Sequence, residues 1–158
     1  MSLQKAKEHL SKFGLADKIL EFDVSSATVD LAAQALGCEP KRIAKTLSFE
    51  LGEGCILIVM AGDAKIDNPK FKAEFGCKAK MLAPADAERL IGHAVGGVCP
   101  FGINEGVQVY LDESRRRFET VFPACGSSNS AIELSIPMLE ECSMARKWVN
   151  VGKGWQEV

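Results

Sequence analysis

The chain has 158 residues, of which 47% are hydrophobic and 25% charged, and its formal net charge is −2 with a pI near 5.8. This composition is ordinary for a globular protein and excludes the strongly basic surface of a dedicated duplex-DNA-binding protein. No apolar run approaches the roughly 20 residues of a membrane-spanning helix. No secretion signal opens the chain. We therefore expect one cytoplasmic domain over residues 1–158, with neither DNA nor a membrane as partner.

The helical and strand patterns of the first half alternate. Apolar residues at helical spacing predict a helix over residues 2–15, and a short strand is predicted over residues 19–22. Thr28 is typical of a helix N-cap, and the helix that follows is predicted to end at Gly37. Two strands, 42–50 and 55–61, are predicted to flank a turn at residues 52–54. The second strand is apolar on both faces, which indicates a central position in a sheet.

The second half contains further helices and strands. Helices are predicted over residues 68–75, 84–91 and about 137–141. Strands are predicted over residues 78–82, 107–111, 118–122, 131–134 and 145–149. Together these elements predict an α/β fold with a mixed sheet of about six or seven strands.

Lys45 does not fit the pattern of its strand. With a side-chain period of two, it shares a face with Ile43, Leu47 and Phe49. An unpaired charge on an apolar face is costly. Lys45 could extend its ammonium to the sheet edge over an apolar stem, or the strand register could differ by one residue. The third interpretation is a pocket in which Lys45 meets a ligand.

Two segments concentrate positive charge. Between residues 65 and 80 there are five lysines and two acidic residues, and residues 115–117 are three consecutive arginines. Such runs are usually solvated surface. The alternative is a landing surface for a phosphate backbone.

The segment 92–102 is rich in glycine. Gly96, Gly97 and Gly102, together with Pro100, predict a bent backbone whose bare N–H groups could stabilise an oxyanion. An ordinary turn is the alternative. Within this segment a cysteine lies six residues after a histidine, which raises the possibility of a nucleophile pair, although no third group orients the histidine.

Zinc binding is not favoured by the distribution of cysteine. Six cysteines are scattered without a Cys-x-x-Cys pair, and the chain has two histidines. We expect free thiols, no metal and no cofactor.

Short motifs in order along residues 20–150 resemble the YbaK/prolyl-tRNA synthetase-associated domain family. They lie at residues 28–33, 36–37, 43–47, 61–63, 96–102, 112–114 and 124–127. The resemblance implies a mixed, mostly antiparallel, barrel-like sheet with surrounding helices. It also implies a freestanding aminoacyl-tRNA deacylase, a carboxylic ester hydrolase that removes a wrong amino acid from a tRNA. The implied substrate is tRNA(Pro) or a related tRNA carrying a small amino acid such as Cys, Ala, Ser or Thr.

The resemblance also implies site residues and partners. Lys45 corresponds to the essential lysine of the family, and could hold the terminal phosphate or ribose or polarise the aminoacyl group. The acceptor end of tRNA is the implied partner, along with prolyl-tRNA synthetase or another synthetase. No histidine lies near position 126, where some relatives place one that senses the substrate, which weakens the case for alanine. The implied substrate-binding residues are Thr28, Gly96, Gly97, Val98, Cys99, Pro100, Phe101, Gly102, Asp112, Gly126, Ser127 and Ser128.

Two other functions fit the sequence. One is a non-catalytic module that binds aminoacyl-tRNA or a synthetase. The other is a cysteine-dependent hydrolase of small esters, for which Cys99 would be indispensable. Substitution of Lys45 or of Cys99 separates these alternatives from deacylation.

Overall fold

The computed structural model describes residues 2–93 and 97–154. No helix among these residues is long and apolar enough to cross a membrane. The helices are α1 (Ser2–Ser11), α2 (Val29–Leu36), α3 (Asn68–Phe75), α4 (Pro84–Ile91) and α5 (Ile136–Ser143). The strands are β1 (Leu20–Glu21), β2 (Ile43–Leu51), β3 (Gly54–Ala61), β4 (Lys65–Ile66), β5 (Gln108–Asp112), β6 (Thr120–Pro123), β7 (Ser130–Ala131), β8 (Leu134–Ser135), β9 (Lys147–Val149) and β10 (Gly152–Lys153).

Six strands form one mixed sheet in the order β8-β6-β2-β3-β5-β9. Its centre is the β2–β3 hairpin, which pairs eight residues of each strand. The hairpin turns through Gly52, whose φ of 61° suits the first position of a two-residue turn. β3 is buried on both faces, as predicted. The mixed sheet is confirmed, but three of its five described pairings are parallel, because β5, β6 and β9 return by crossovers.

The two faces of the sheet carry separate apolar clusters. On one face, α1, α4 and α5 pack against alternate residues of β3 and β5. On the other face, α3 packs through its buried Phe71 against the intervening residues of the same strands. A smaller cluster places Ala32 and Ala33 of α2 over Ile43 and Phe122. The hairpin therefore anchors helices on both sides.

The outer edge of β2 is open in the middle. β6 pairs with β2 only at Ile43 and Ala44. Farther along, the Leu82 amide donates to the Ser48 carbonyl at 3.2 Å. Because backbone groups alternate between the two sides of a strand, the N–H and C=O of Thr46 face the stretch between these two contacts. Among the described residues, no neighbouring strand pairs with this edge of β2 between Ala44 and Ser48, which leaves an opening in the sheet.

Several predicted elements differ from the observed ones. α1 ends at Ser11, four residues earlier than predicted. The predicted strand 78–82 is reduced to one bridge, between Met81 and Phe49. The predicted strand 131–134 is divided between β7 and β8, because its two ends pair with different strands. The two-stranded ribbon of β4 and β10 was not predicted.

The prediction of a basic surface cluster at residues 115–117 is wrong for Arg115. Its side chain is fully buried, its Nε donates to the Val59 carbonyl at 3.1 Å, and its guanidinium lies over the Trp148 ring. Burial lowers the pKa of Arg115 to about 9, and Asp112 and Glu140 oppose this shift. A run of three arginines does not reveal which one a short 3₁₀ turn directs inward.

Asp112 holds two segments together at the end of β5. Its carboxylate is fully buried and accepts the Ser114 amide at 3.0 Å and the Val151 amide at 2.9 Å. The first bond caps the 3₁₀ turn of residues 113–117, and the second fixes the segment after β9 to the end of β5. These contacts give Asp112 a structural role.

Replacing Asp112 by alanine should therefore lower stability. Asp112→Ala leaves two buried amides without an acceptor, which we expect to reduce the free energy of unfolding by about 2–4 kcal/mol. Urea denaturation would measure the loss, with the exposed Asp17→Ala as matched control. Equal stability of the two variants would contradict the structural role.

Candidate active site

A cavity of about 490 Å³ occupies the opening in the sheet. Its wall is mostly apolar, and Lys45 is the one charged residue among the described lining residues. Polar groups come from short side chains such as Thr28, Thr46 and Ser130. The apolar lining residues are Ala27, Val29, Ala32, Ile43, Ala44, Leu47, Met81, Leu82, Pro84, Val98, Phe122, Ala124 and Ala131. Such a cavity suits an uncharged group positioned beside one cation.

Lys45 lies in the predicted register, opposite Met60 of β3. Its half-buried ammonium donates hydrogen bonds to the carbonyls of Gly62 and Ala64, in the turn that follows β3. Burial lowers the pKa of Lys45, the charge of Asp63 opposes this shift, and Lys65 adds to it. Lys45 thus lines the cavity, and the backbone of the following turn fixes its ammonium.

Thr28 places the start of α2 at the cavity. Its Oγ1 accepts a hydrogen bond from the Leu31 amide at 3.2 Å, and Gly37 ends the helix with a φ of 69°, both as predicted. The cap matters because it sets the direction of the first turn, from which Val29 and Ala32 reach the cavity wall.

Gly97 lies where two loops meet. A Cβ at this position would be 2.6 Å from the Ser127 nitrogen and 2.7 Å from the Gly126 carbonyl carbon. Only glycine permits this approach without displacement of backbone. The next residue, Val98, lines the cavity. Gly96, which the sequence also singles out, lies outside the described residues.

Ser127 and Ser128 support the wall opposite α2. The Ser127 hydroxyl lies 2.6 Å from the Ser130 hydroxyl, and the Ser128 carbonyl accepts the Ser26 amide at 2.6 Å. Ser26 and Ser130 line the cavity, whereas Gly126, Ser127 and Ser128 adjoin it from behind. These hydrogen bonds join the loop of residues 126–130 to the segment that precedes α2.

The remaining predicted site residues lie outside the cavity lining. Cys99, Pro100 and Phe101 are buried, and Gly102, with a φ of 68°, packs against the backbone of Lys5. Asp112 has the structural contacts described above. The structure therefore brings Lys45, Thr28 and Val98 together at the cavity, with Gly97 and residues 126–128 next to it.

Sequence reasoning missed the polar face of β2. Thr46 and Ser48 line the cavity, and the Thr46 hydroxyl is buried with no hydrogen-bond partner among the described residues. Such a group is costly to bury without a partner, so it is available to a ligand. The period-two pattern did place both residues on the face opposite Lys45, but polar residues on that face read as ordinary solvated positions.

The contacts of Cys99 and His93 do not support a nucleophile pair. The Cys99 sulfur is 3.6 Å from His93 Nε2, but the same nitrogen is 2.7 Å from the Phe101 carbonyl. A carbonyl can only accept, so Nε2 donates its proton there and cannot deprotonate the thiol. Burial raises the pKa of Cys99 to about 12, and both side chains are fully buried. Among described residues, no group of three or more His, Cys, Asp or Glu side chains could hold a metal.

Comparisons with known proteins give consistent matches. A model described as the aminoacyl-tRNA editing domain matches residues 24–142. The uncharacterized protein YwhH of Bacillus subtilis (strain 168) is 51% identical and covers 99% of this chain and 100% of its own. A proline–tRNA ligase of Limosilactobacillus fermentum is 30% identical over 92 residues, which are 54% of this chain and 16% of the ligase. The chain thus matches a small part of that larger enzyme.

Solved structures resemble the whole fold. A proposed trans-editing enzyme for prolyl tRNA synthetase superposes with a TM-score of 0.86 at 28% identity, covering 97% of this chain and 98% of the other. The hypothetical protein APE2540 superposes with a TM-score of 0.83 at 26% identity, and the match covers 94% of this chain and 99% of the other.

The reactivity of Cys99 is testable. The thiolate is the reactive form, so a buried thiol with a pKa of about 12 should resist iodoacetamide near neutral pH. We expect modification of the partly exposed Cys38 and Cys77 in the native protein, and of all six cysteines in urea. Peptide mass spectrometry would locate the label. Rapid modification of native Cys99 would restore the cysteine-hydrolase interpretation.

Proposed function

The chain belongs to the aminoacyl-tRNA editing domain family, and from this premise we propose that it is a deacylase that hydrolyses the ester of a mischarged tRNA. The observation that carries the proposal is the position of Lys45, which is the one charged residue among the described lining residues of a mostly apolar cavity. The proposed substrate is tRNA(Pro), or a related tRNA, carrying a small amino acid such as Cys, Ala, Ser or Thr. The likeness to a proposed trans-editing enzyme supports this choice.

In the proposed mechanism, the aminoacyl end enters the opening beside β2. The Lys45 ammonium, oriented by two carbonyls, attracts the terminal phosphate or ribose or polarises the ester carbonyl. In this mechanism, backbone N–H groups of the loop at Gly97 and Val98 stabilise the oxyanion that forms when water attacks, and the position of Val98 in the cavity lining supports this role. The bond between the carbonyl carbon and the ribose oxygen then breaks, the ribose oxygen takes up the proton that the attacking water loses, and the free amino acid leaves. No described lining residue is a carboxylate or histidine, so the mechanism relies on positioning.

Selectivity follows from the character of the cavity. An apolar wall accepts small uncharged side chains and disfavours charged ones, which would lose hydration without a partner. A synthetase discriminates against a missing methylene by only about 1–3 kcal/mol, so a second site that hydrolyses small wrong products is useful.

The partners follow from the same proposal. The acceptor end of tRNA is unpaired, and single-stranded ends can enter a pocket that a helix cannot. Similarity to proline–tRNA ligases supports an association with prolyl-tRNA synthetase. The proposed compartment is the cytoplasm, where translation takes place.

A panel of charged tRNAs tests the proposal. We expect hydrolysis of one or two tRNAs among those charged with Ala, Cys, Ser, Thr or Pro. Lys45→Ala should lower kcat/KM by about 100-fold or more, because it removes the one charge among the described lining residues of the cavity. Lys12→Ala, an exposed lysine of the segment after α1, is the matched control and should retain activity. Release of the labelled amino acid is the readout.

One result would contradict the role of Lys45, and another would contradict deacylation itself. Hydrolysis that persists in Lys45→Ala would remove Lys45 from the mechanism. If no species is hydrolysed while tRNA still binds, the chain is a non-catalytic binding module.

Gly97→Ala tests the junction of the two loops. The added methyl meets the backbone of Gly126 and Ser127, so the loop that carries Val98 must shift. Displacement of about 1 Å can cost about 100-fold in rate, and we expect kcat to fall by up to that factor. Gly54→Ala, at an exposed glycine without a positive φ and with nothing near its Cβ position, controls for loss of glycine in general. Unchanged kcat in Gly97→Ala would exclude this loop from the reaction.

A further inference from the structure

Two lysines lie directly opposite each other on a small ribbon beside the cavity. β4 and β10 pair antiparallel, with Lys65 opposite Lys153 and Ile66 opposite Gly152. The ribbon is continued by a hydrogen bond from the Asp67 amide to the Val151 carbonyl at 2.8 Å. Ile66 packs on the apolar cluster of the sheet, so the alternate residues Lys65 and Lys153 point to solvent, where both are exposed.

This arrangement works against stability. Like charges directly opposite on an antiparallel pair repel. Among the described residues, neither of these two lysines forms an ion pair. A third lysine, Lys70, reaches the same ribbon and donates to the Gly152 carbonyl at 3.1 Å. An anion between the two ammonium groups would offset this repulsion.

The ribbon adjoins the cavity through the chain itself. Lys65 directly follows Ala64, whose carbonyl accepts a hydrogen bond from the Lys45 ammonium. Lys65 is close enough that its charge acts on the pKa of Lys45. Asp63 and Asp67 are the acidic residues of this segment, and Asp67 is engaged as the N-cap of α3. Lys65, Lys70 and Lys153 meet at the ribbon, and Asp63 is the carboxylate between Lys45 and Lys65 along the chain.

We propose that Lys65 and Lys153 form a phosphate clamp that holds the single-stranded acceptor end of tRNA by the phosphodiester groups next to the esterified nucleotide. The clamp rests on the proposed function, since it guides the same end into the cavity of Lys45. Lysine suits this role because its ammonium is a point charge on a flexible stem, which can follow a mobile phosphate without reading sequence.

The salt dependence of tRNA binding tests the clamp. Uncharged tRNA(Pro), with and without its CCA end, would be titrated with wild type, Lys65→Gln, Lys153→Gln and the double variant. Each lost phosphate contact should reduce the slope of log K against log salt by about 0.7, which corresponds to about fivefold weaker binding at about 0.1 M salt. Lys12→Gln, next to α1 on the opposite face of the sheet, is the matched control.

Removal of the CCA end separates the clamp from general attraction. With the end removed, wild type and the double variant should bind equally, because the phosphates that the lysines hold are absent. Equal losses in Lys12→Gln, or a double variant that still binds truncated tRNA more weakly than wild type does, would overturn the clamp. Absence of any tRNA binding by wild type would overturn it as well.

Stability distinguishes a ligand site from a structural one. Lys153→Glu replaces repulsion with attraction to Lys65, so the Tm should stay equal or rise while tRNA binding weakens. A lower Tm with unchanged binding would make the ribbon structural and the clamp wrong.

The clamp and the deacylase can fail separately. These binding measurements use uncharged tRNA, so they remain informative if no charged tRNA is hydrolysed. If hydrolysis is observed, Lys65→Gln and Lys153→Gln should raise KM more than they lower kcat. Hydrolysis with unchanged KM in both variants would overturn the clamp and leave the deacylase standing.

Discussion

The opening in the sheet exists because β6 pairs with β2 over only two residues. β6 pairs with β2 only at Ile43 and Ala44. The next backbone hydrogen bond on this edge of β2 comes from the Leu82 amide to the Ser48 carbonyl. Between these points the backbone of Thr46 faces a cavity instead of a neighbouring strand. An unpaired central edge would normally invite pairing or lose hydrogen bonds, so a bound group that supplies partners fits this stretch well.

Lys45 gives the opening its chemical character. It occupies the face of β2 that belongs to the apolar core and lines the cavity, and the carbonyls of Gly62 and Ala64 fix its ammonium. From there positive charge continues along the chain to Lys65 and across the ribbon to Lys153. A protein with a net charge of −2 can thus present a local basic path to a polyanion. Affinity of this kind is modest and salt-dependent, which suits the proposed editing function, since an editing enzyme must release its tRNA.

Local signals made much of this arrangement predictable from sequence. Thr28 and Gly37 bound α2 through contacts within a few residues, and the apolar run of β3 indicated its central position. The features that escaped prediction depend on distant parts of the chain. The burial of Arg115 requires β3 and Trp148, the approach at Gly97 requires the loop of residues 126–128, and the β4–β10 ribbon joins segments more than eighty residues apart. No window of sequence contains both partners of such contacts.

The most direct test of the central claim is to locate the bound aminoacyl end. An aminoacyl-adenosine analogue with an amide in place of the ester cannot be hydrolysed and can be titrated into ¹⁵N-labelled protein. We predict that chemical-shift changes concentrate at Thr28, Lys45, Thr46, Val98 and Ser130, and that they are lost in Lys45→Ala. Changes centred instead on the distant surface of α5 and Trp148, with none at β2, would contradict the account.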